Sequence, residues 1–206
     1  MELNLLGFDQ RLHVKQFGAA TWDEERRRTY LLRPEIEWPM SVDRRVWPSI
    51  FGLYYDASAK RSISFLAAEP DPEMWNYLDL WANLSEMQTW YARHGAGESI
   101  AVVPVAIGVF LEGLNPQEAF WPTSDTPLPS SAKLIGFDVA DFSLTSAVSN
   151  CGYKEQAAEV LRPKWRDRIN DHGLIVTVED AFEFKQVSDQ RVREHSPFYV
   201  FAVYLL

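Results

Sequence analysis

Phe198-Tyr-Val-Phe-Ala-Val-Tyr-Leu-Leu206 closes the chain. The run holds no charged residue, and its β-branched and aromatic side chains favour a pleated strand. Both alternating faces are apolar, which predicts a central strand covered on either side. Lys133-Leu-Ile-Gly-Phe137 reads as a shorter strand, and Ser62–Leu66 and part of Ile100–Phe110 as further strands. Between the two C-terminal strands the pattern turns helical. Asp138 or Asp141 is placed to cap a helix through Phe142, Leu144, Thr145 and Val148, with Gly152 beyond Cys151 as its stop. Lys154–Leu161 is helical, Arg162-Pro163 interrupts it, and a further turn runs through Trp165 and Ile169 to Gly173. Thr177-Val-Glu-Asp180 resembles a capping box, followed by Ala181, Phe184, Val187 and Val192 on one face. Helices and strands mix without regular β-α-β alternation. The expected class is therefore α+β, with mixed helices and a small central sheet that includes the C-terminal strand.

Working toward the N-terminus, Asp71-Pro72-Glu73 starts a helix. Met74, Tyr77, Leu78, Trp81, Leu84 and Ser85 keep helical spacing, continuing through Met87, Trp90 and Tyr91 to Gly95. Asn115-Pro116 begins a second, short helix that must end before Pro122, and Asp43–Tyr54 is a helical stretch containing Pro48. Pro122-Thr-Ser-Asp-Thr-Pro-Leu-Pro-Ser-Ser131 suits neither helix nor sheet interior. Residues 1–206 are read as one α+β domain. Within it, 122–132 is either a boundary between 1–121 and 133–206 or a long surface loop. Leu6-Gly7-Phe8-Asp9 is echoed by Ile135-Gly136-Phe137-Asp138. Four residues do not establish a duplication, and the echo is read as coincidence.

Of 206 residues, 47% are apolar and 24% charged, an ordinary globular composition. Twenty Lys and Arg against 29 Asp and Glu give a net charge of -9, which argues against general nucleic-acid binding. Arg93 is the sole basic residue of 69–131, against 9 acids, and the same stretch holds Trp75, Trp81, Trp90 and Trp121. An acidic, Trp-rich segment suits contact with a basic partner. Trp75, Asp79, Trp81, Glu86 and Trp90 are the expected contact residues, set against the alternative that these indoles face the core. The longest apolar run, Ile100–Leu111, is broken by Pro104 and Gly108 and falls short of the about 20 residues of a membrane span. The N-terminus lacks the basic region of a secretory signal, so the cytoplasm is the expected location.

No catalytic, metal or cofactor site is expected. The single cysteine, Cys151, could form a triad with His172 or His195 and Asp138 or Asp141. Its place at a helix C-terminus disfavours the thiolate. Asp138, Asp141, Glu179, Asp180 and Glu183 could hold a hard cation, but each also has a helix-capping or dipole role. His13, His94, His172 and His195 lack zinc-binding spacing. Arg26–Arg28 lies beside Asp23–Glu25, which reads as local ion pairing.

Three C-terminal stretches, GFDVADFSLTSAVSNCGY (136–153), LRPKW (161–165) and LIVTVEDAFEFKQVSDQRVREHSPFYVFAVYLL (174–206), carry a resemblance. Together they resemble a group of bacterial accessory-gene proteins, some encoded near secreted-toxin loci, as immunity proteins are. The resemblance spans 136–206. It implies an immunity protein that neutralises a cognate secretion-system toxin in the cytoplasm by occluding its active site. The partner is then a protein with a basic surface, with no nucleic acid or membrane involved. Two alternatives stand beside it: a thiol-dependent hydrolase using Cys151, and an effector adaptor or chaperone.

Overall fold

The computed structural model describes residues 1–12, 28–36, 39–43, 46–47, 80–94, 102–112, 121–150 and 157–206. Four strands, β1 (Leu3–Leu12), β2 (Val102–Phe110), β3 (Lys133–Ala140) and β4 (Tyr199–Leu205), form one antiparallel sheet in the order β1-β2-β4-β3. The helices are α1 (Leu84–His94), α2 (Ala147–Asn150), α3 (Ala157–Trp165) and α4 (Val178–Arg191), and a 3-10 turn covers Arg166–Arg168. The fold is α+β, and the C-terminal strand is central in it, as its two apolar faces require.

Register decides which side chains share a face. Phe8 lies opposite Ala106, Ala106 opposite Tyr204, and Ala202 opposite both Gly108 and Phe137. That face is covered at one end by α3 and α4, where Phe137, Val139, Val200 and Ala202 pack with Trp165, Ala181 and Phe184. At its other end Phe8 and Ala106 pack with Trp81, Met87 and Trp90. The opposite face carries Leu6, Val105, Ile107, Val109, Ile135, Phe201 and Val203, under Val42, Trp47, Leu80, Trp121 and Leu174.

Each outer strand has a register break beside a glycine. In β1 it falls between Leu5 and Gly7, in β3 between Leu134 and Gly136. The extra residue of each bulge, Leu6 or Ile135, turns its side chain onto the second face. Beyond β1, Phe8 exchanges both backbone hydrogen bonds with Trp81, at 2.9 and 2.8 Å. Beyond β3, Phe137 does the same with Ile175, at 2.9 and 2.8 Å.

Three sequence readings are corrected. The helix expected from Asp71 to Gly95 does not run through 80–83, because Trp81 is extended and paired with Phe8. It starts at Leu84, where the Asn83 side chain accepts from Ser85 N at 2.9 Å and Glu86 N at 3.4 Å. Asp138 caps no helix but lies inside β3, and only 147–150 of the expected helix forms. Leu144 takes a positive φ of 59°, which ends any continuous helix there. Pro163 does not stop α3, which continues to Trp165. Thr177 caps α4 as read, accepting from Asp180 N at 3.2 Å. The residues 122–132 form no helix or strand and run against the edge of β1, with Ser124 N donating to Leu5 O at 2.7 Å. The readings at Asp43–Tyr54 in large part, and those at Ser62–Leu66, Asp71–Glu73 and Asn115–Pro116, lie outside the described residues.

Candidate functional site

Polar side chains gather where β3 leaves the sheet. Asp138 is fully buried, and both of its carboxylate oxygens are occupied. Oδ1 accepts from Ser146 Oγ at 2.6 Å and Val139 N at 2.8 Å. Oδ2 accepts from Ser41 Oγ at 2.7 Å and Val42 N at 2.8 Å. Burial pushes the Asp138 carboxyl above its ordinary range, while these four hydrogen bonds act in the opposite direction. The group fastens segment 41–43 and the start of α2 to the sheet. Asp43 extends the node, accepting from Ser146 N at 3.3 Å and Asn150 Nδ2 at 3.1 Å.

Asp141, three residues on, organises the following turn. Its Oδ1 accepts from Ser143 N at 2.9 Å, Ser143 Oγ at 2.6 Å and Thr145 N at 3.0 Å. Its Oδ2 meets His195 Nδ1 at 3.1 Å. Ser, His and Asp are thus neighbours, but both Ser143 Oγ and His195 Nδ1 address the carboxylate. Nucleophilic catalysis needs the hydroxyl on the imidazole instead. Across the sheet, Arg11 is buried with Asp9 at 2.9 Å and donates to Trp47 O at 2.6 Å and Val42 O at 3.3 Å. Arg11 and Asp138 therefore hold Val42 from two sides, with Trp47 on the first and Ser41 on the second.

The expected contact residues separate. Trp81 is fully buried and Trp90 is 8% exposed, their rings 6.1 Å apart in the core under α1. As placed, these indoles fill the sheet face and offer a partner almost no surface. Glu86 is exposed in the first turn of the same helix. Trp75 and Asp79 lie outside the described residues, as does Cys151. Of the acids considered for a cation, Asp180 and Glu183 hold Arg168 at 2.8 and 2.6 Å. That guanidinium also stands over the Trp165 ring at 4.8 Å. Lys164 pairs with Glu183 as well, and Lys164 and Arg168 hold that carboxyl below its ordinary range. Among the described residues, no group of three or more His, Cys, Asp or Glu is arranged to hold a metal. None of their helices is long and apolar enough to cross a membrane.

Sequence reasoning singled out Asp138 but missed the node it forms. Its partners Ser41, Val42 and Ser146 stand on either side of it in sequence, two of them nearly a hundred residues away. No local pattern signals such a contact. Against known proteins, the chain matches no protein-family model, no curated protein and no solved structure.

Proposed function

We propose that this protein works by binding, as an immunity protein that neutralises a cognate toxin in the cytoplasm by covering the toxin's active site. The observation that carries the reading is how the polar groups at the end of β3 and in the turn after it are used. Asp138, Asp141 and Ser143 are committed to holding turns and segments together, the role of a scaffold. The stretch bearing the resemblance, 136–206, includes most of β3 and all of α4 and β4 of that scaffold. The acidic middle third suits a basic partner, and Glu86 offers its carboxylate to solvent there.

The test is co-expression with the neighbouring open reading frame. Rescue from growth arrest, with recovery of a one-to-one complex from lysate, is the expected result. Cys151→Ala should rescue equally well. Loss of rescue by Cys151→Ala with the fold intact would instead favour the thiol hydrolase. Glu86→Lys should slow association and flatten its salt dependence, with no more than about 1 kcal/mol of stability lost at the N-terminus of α1.

A further inference from the structure

We propose that the chain is a tandem duplication, two copies of one unit (outer strand, bridging residue, helix, inner strand) closed about a pseudo-twofold axis between Ile107 and Val203. The four-residue echo then reflects common descent. Gly7 lies opposite Ile107 in the same way that Gly136 lies opposite Val203, and each follows a one-residue bulge. Phe8 bridges to Trp81 as Phe137 bridges to Ile175. A Cβ on Gly7 would meet Trp81 O and Leu80 Cβ, and one on Gly136 would meet Ile175 O and Leu174 Cβ. After the bridge residue, both helices begin at the same spacing, at Leu84 and at Val178, behind the caps Asn83 and Thr177. Their core residues correspond at that spacing too, Met87 and Trp90 to Ala181 and Phe184. Asp9 Oδ1 accepts from Gln10 N at 2.8 Å, and Asp138 Oδ1 from Val139 N at 2.8 Å.

The central strand pair locates the axis. Val105 faces Leu205 and Val109 faces Phe201, while Ala106 faces Tyr204 and Gly108 faces Ala202. Any antiparallel ladder has a half-turn at each facing pair; here the residues opposite Gly7 and Gly136, Ile107 and Val203, are themselves one such pair, so a single axis relates both halves. The same half-turn carries β1 onto β3 with Gly7 on Gly136. A slip of one residue in any strand would destroy this agreement. Bulges are frequent on edge strands, so one matching bulge would mean little. Bulge, bridge, cap, helix core and dyad register coinciding at one alignment is what duplication produces. Each unit's inner strand, β2 or β4, is thus shaped to receive a second copy of the same unit. The units differ most in the longer connection of the first, residues 13–79 against 141–173, and at Arg11 against Ala140 and Gly108 against Tyr204.

The wild-type chain tests this through an experimental structure, by crystallography or by interstrand nuclear Overhauser contacts in solution. The expected result is a half-turn that places Gly7 on Gly136, Leu80 on Leu174 and Ile107 on Val203. A different rotation, or a strand offset by one residue, overturns the proposal. A second measurement exchanges the axial pair. Ile107→Val with Val203→Ile should melt within about 2 °C of wild type, because the two positions are equivalent, whereas Ile107→Val alone should lose about 2–5 °C. An exchange as costly as the single change counts against the axis. Neither measurement depends on the immunity reading.

Discussion

Gly136→Ala perturbs the point where β3, the Ile175 bridge and the turn at Asn170 converge. Gly136 has φ +145°, a conformation that a residue with a Cβ rarely adopts. An added Cβ would lie 2.7 Å from Leu174 Cβ, 2.9 Å from Asn170 Nδ2 and 3.0 Å from Ile175 O. The last of these is backbone, held by its hydrogen bond to Phe137 N at 2.9 Å. Asn170 is also pinned, donating to Ile135 O at 2.6 Å and accepting from Leu174 N at 3.2 Å. None of the three neighbours can retreat cheaply. Backbone strain costs about 1–3 kcal/mol and overpacking about 1–3 kcal/mol. Together they reach about 2–6 kcal/mol, a large share of a typical domain's stability. For a chain of this length that corresponds to a fall of roughly 6–18 °C in melting temperature. Gly108→Ala is the control. Its Cβ would meet the Leu3 side chain at 3.0 and 3.1 Å and Asn4 O at 3.2 Å, and its φ is ordinary. Leu3 is only partly buried and can move, so about 1 kcal/mol is expected. Urea unfolding at constant m-value measures both. If Gly136→Ala were no more damaging than Gly108→Ala, the assigned strain and close contacts would be wrong.

Trp81→Ala should cost about 3–5 kcal/mol of stability, because the indole is fully buried against Phe8 and Trp90; urea midpoints decide it, and a near-neutral result would return Trp81 to the surface. Asn83→Ala and Thr177→Ala should each cost about 1 kcal/mol through loss of a helix cap, read as matched shifts in thermal unfolding. Asp138 tests linkage. Its folded pKa lies above the unfolded one, so the folded state holds the proton more tightly and this group's contribution falls as pH rises from the ordinary carboxylate range to the raised value. The stability advantage of wild type over the non-titrating Asp138→Asn should therefore shrink as pH rises through that window. An advantage that grew with pH would show that the hydrogen bonds outweigh burial.

How much of this was legible depended on whether the signal was local. β4 and the start of α4 carried their own evidence in an apolar two-faced run and a Thr-x-x-Asp cap. The Trp81 bridge could not be read that way. Leu80 and Trp81 fit helical spacing as well as extended pairing, and only the distant Phe8 selects the latter. β1 was hidden because its bulge shifts the alternation, placing Leu6 and Phe8 on opposite faces with the fully buried Asp9 after them. The direction of Trp90 was hidden for a related reason. Helical spacing puts Trp90 on one stripe of α1, but the stripe's direction is set by the sheet beneath it. The acid on the other stripe, Glu86, remained exposed.

The outer strands have a bearing on how any partner can approach. Phe8 and Phe137 spend their outward backbone groups on Trp81 and Ile175. The next outward amides, those of Gln10 and Val139, are taken by the carboxylates of Asp9 and Asp138. Asn170 and Ser124 cover the carbonyls of Ile135 and Leu5. Among the described residues, these outward groups of both flanks are therefore closed to an incoming extended peptide, which also protects against edge-to-edge polymerisation. Along these flanks, side chains and not main chain are what a neighbouring molecule meets.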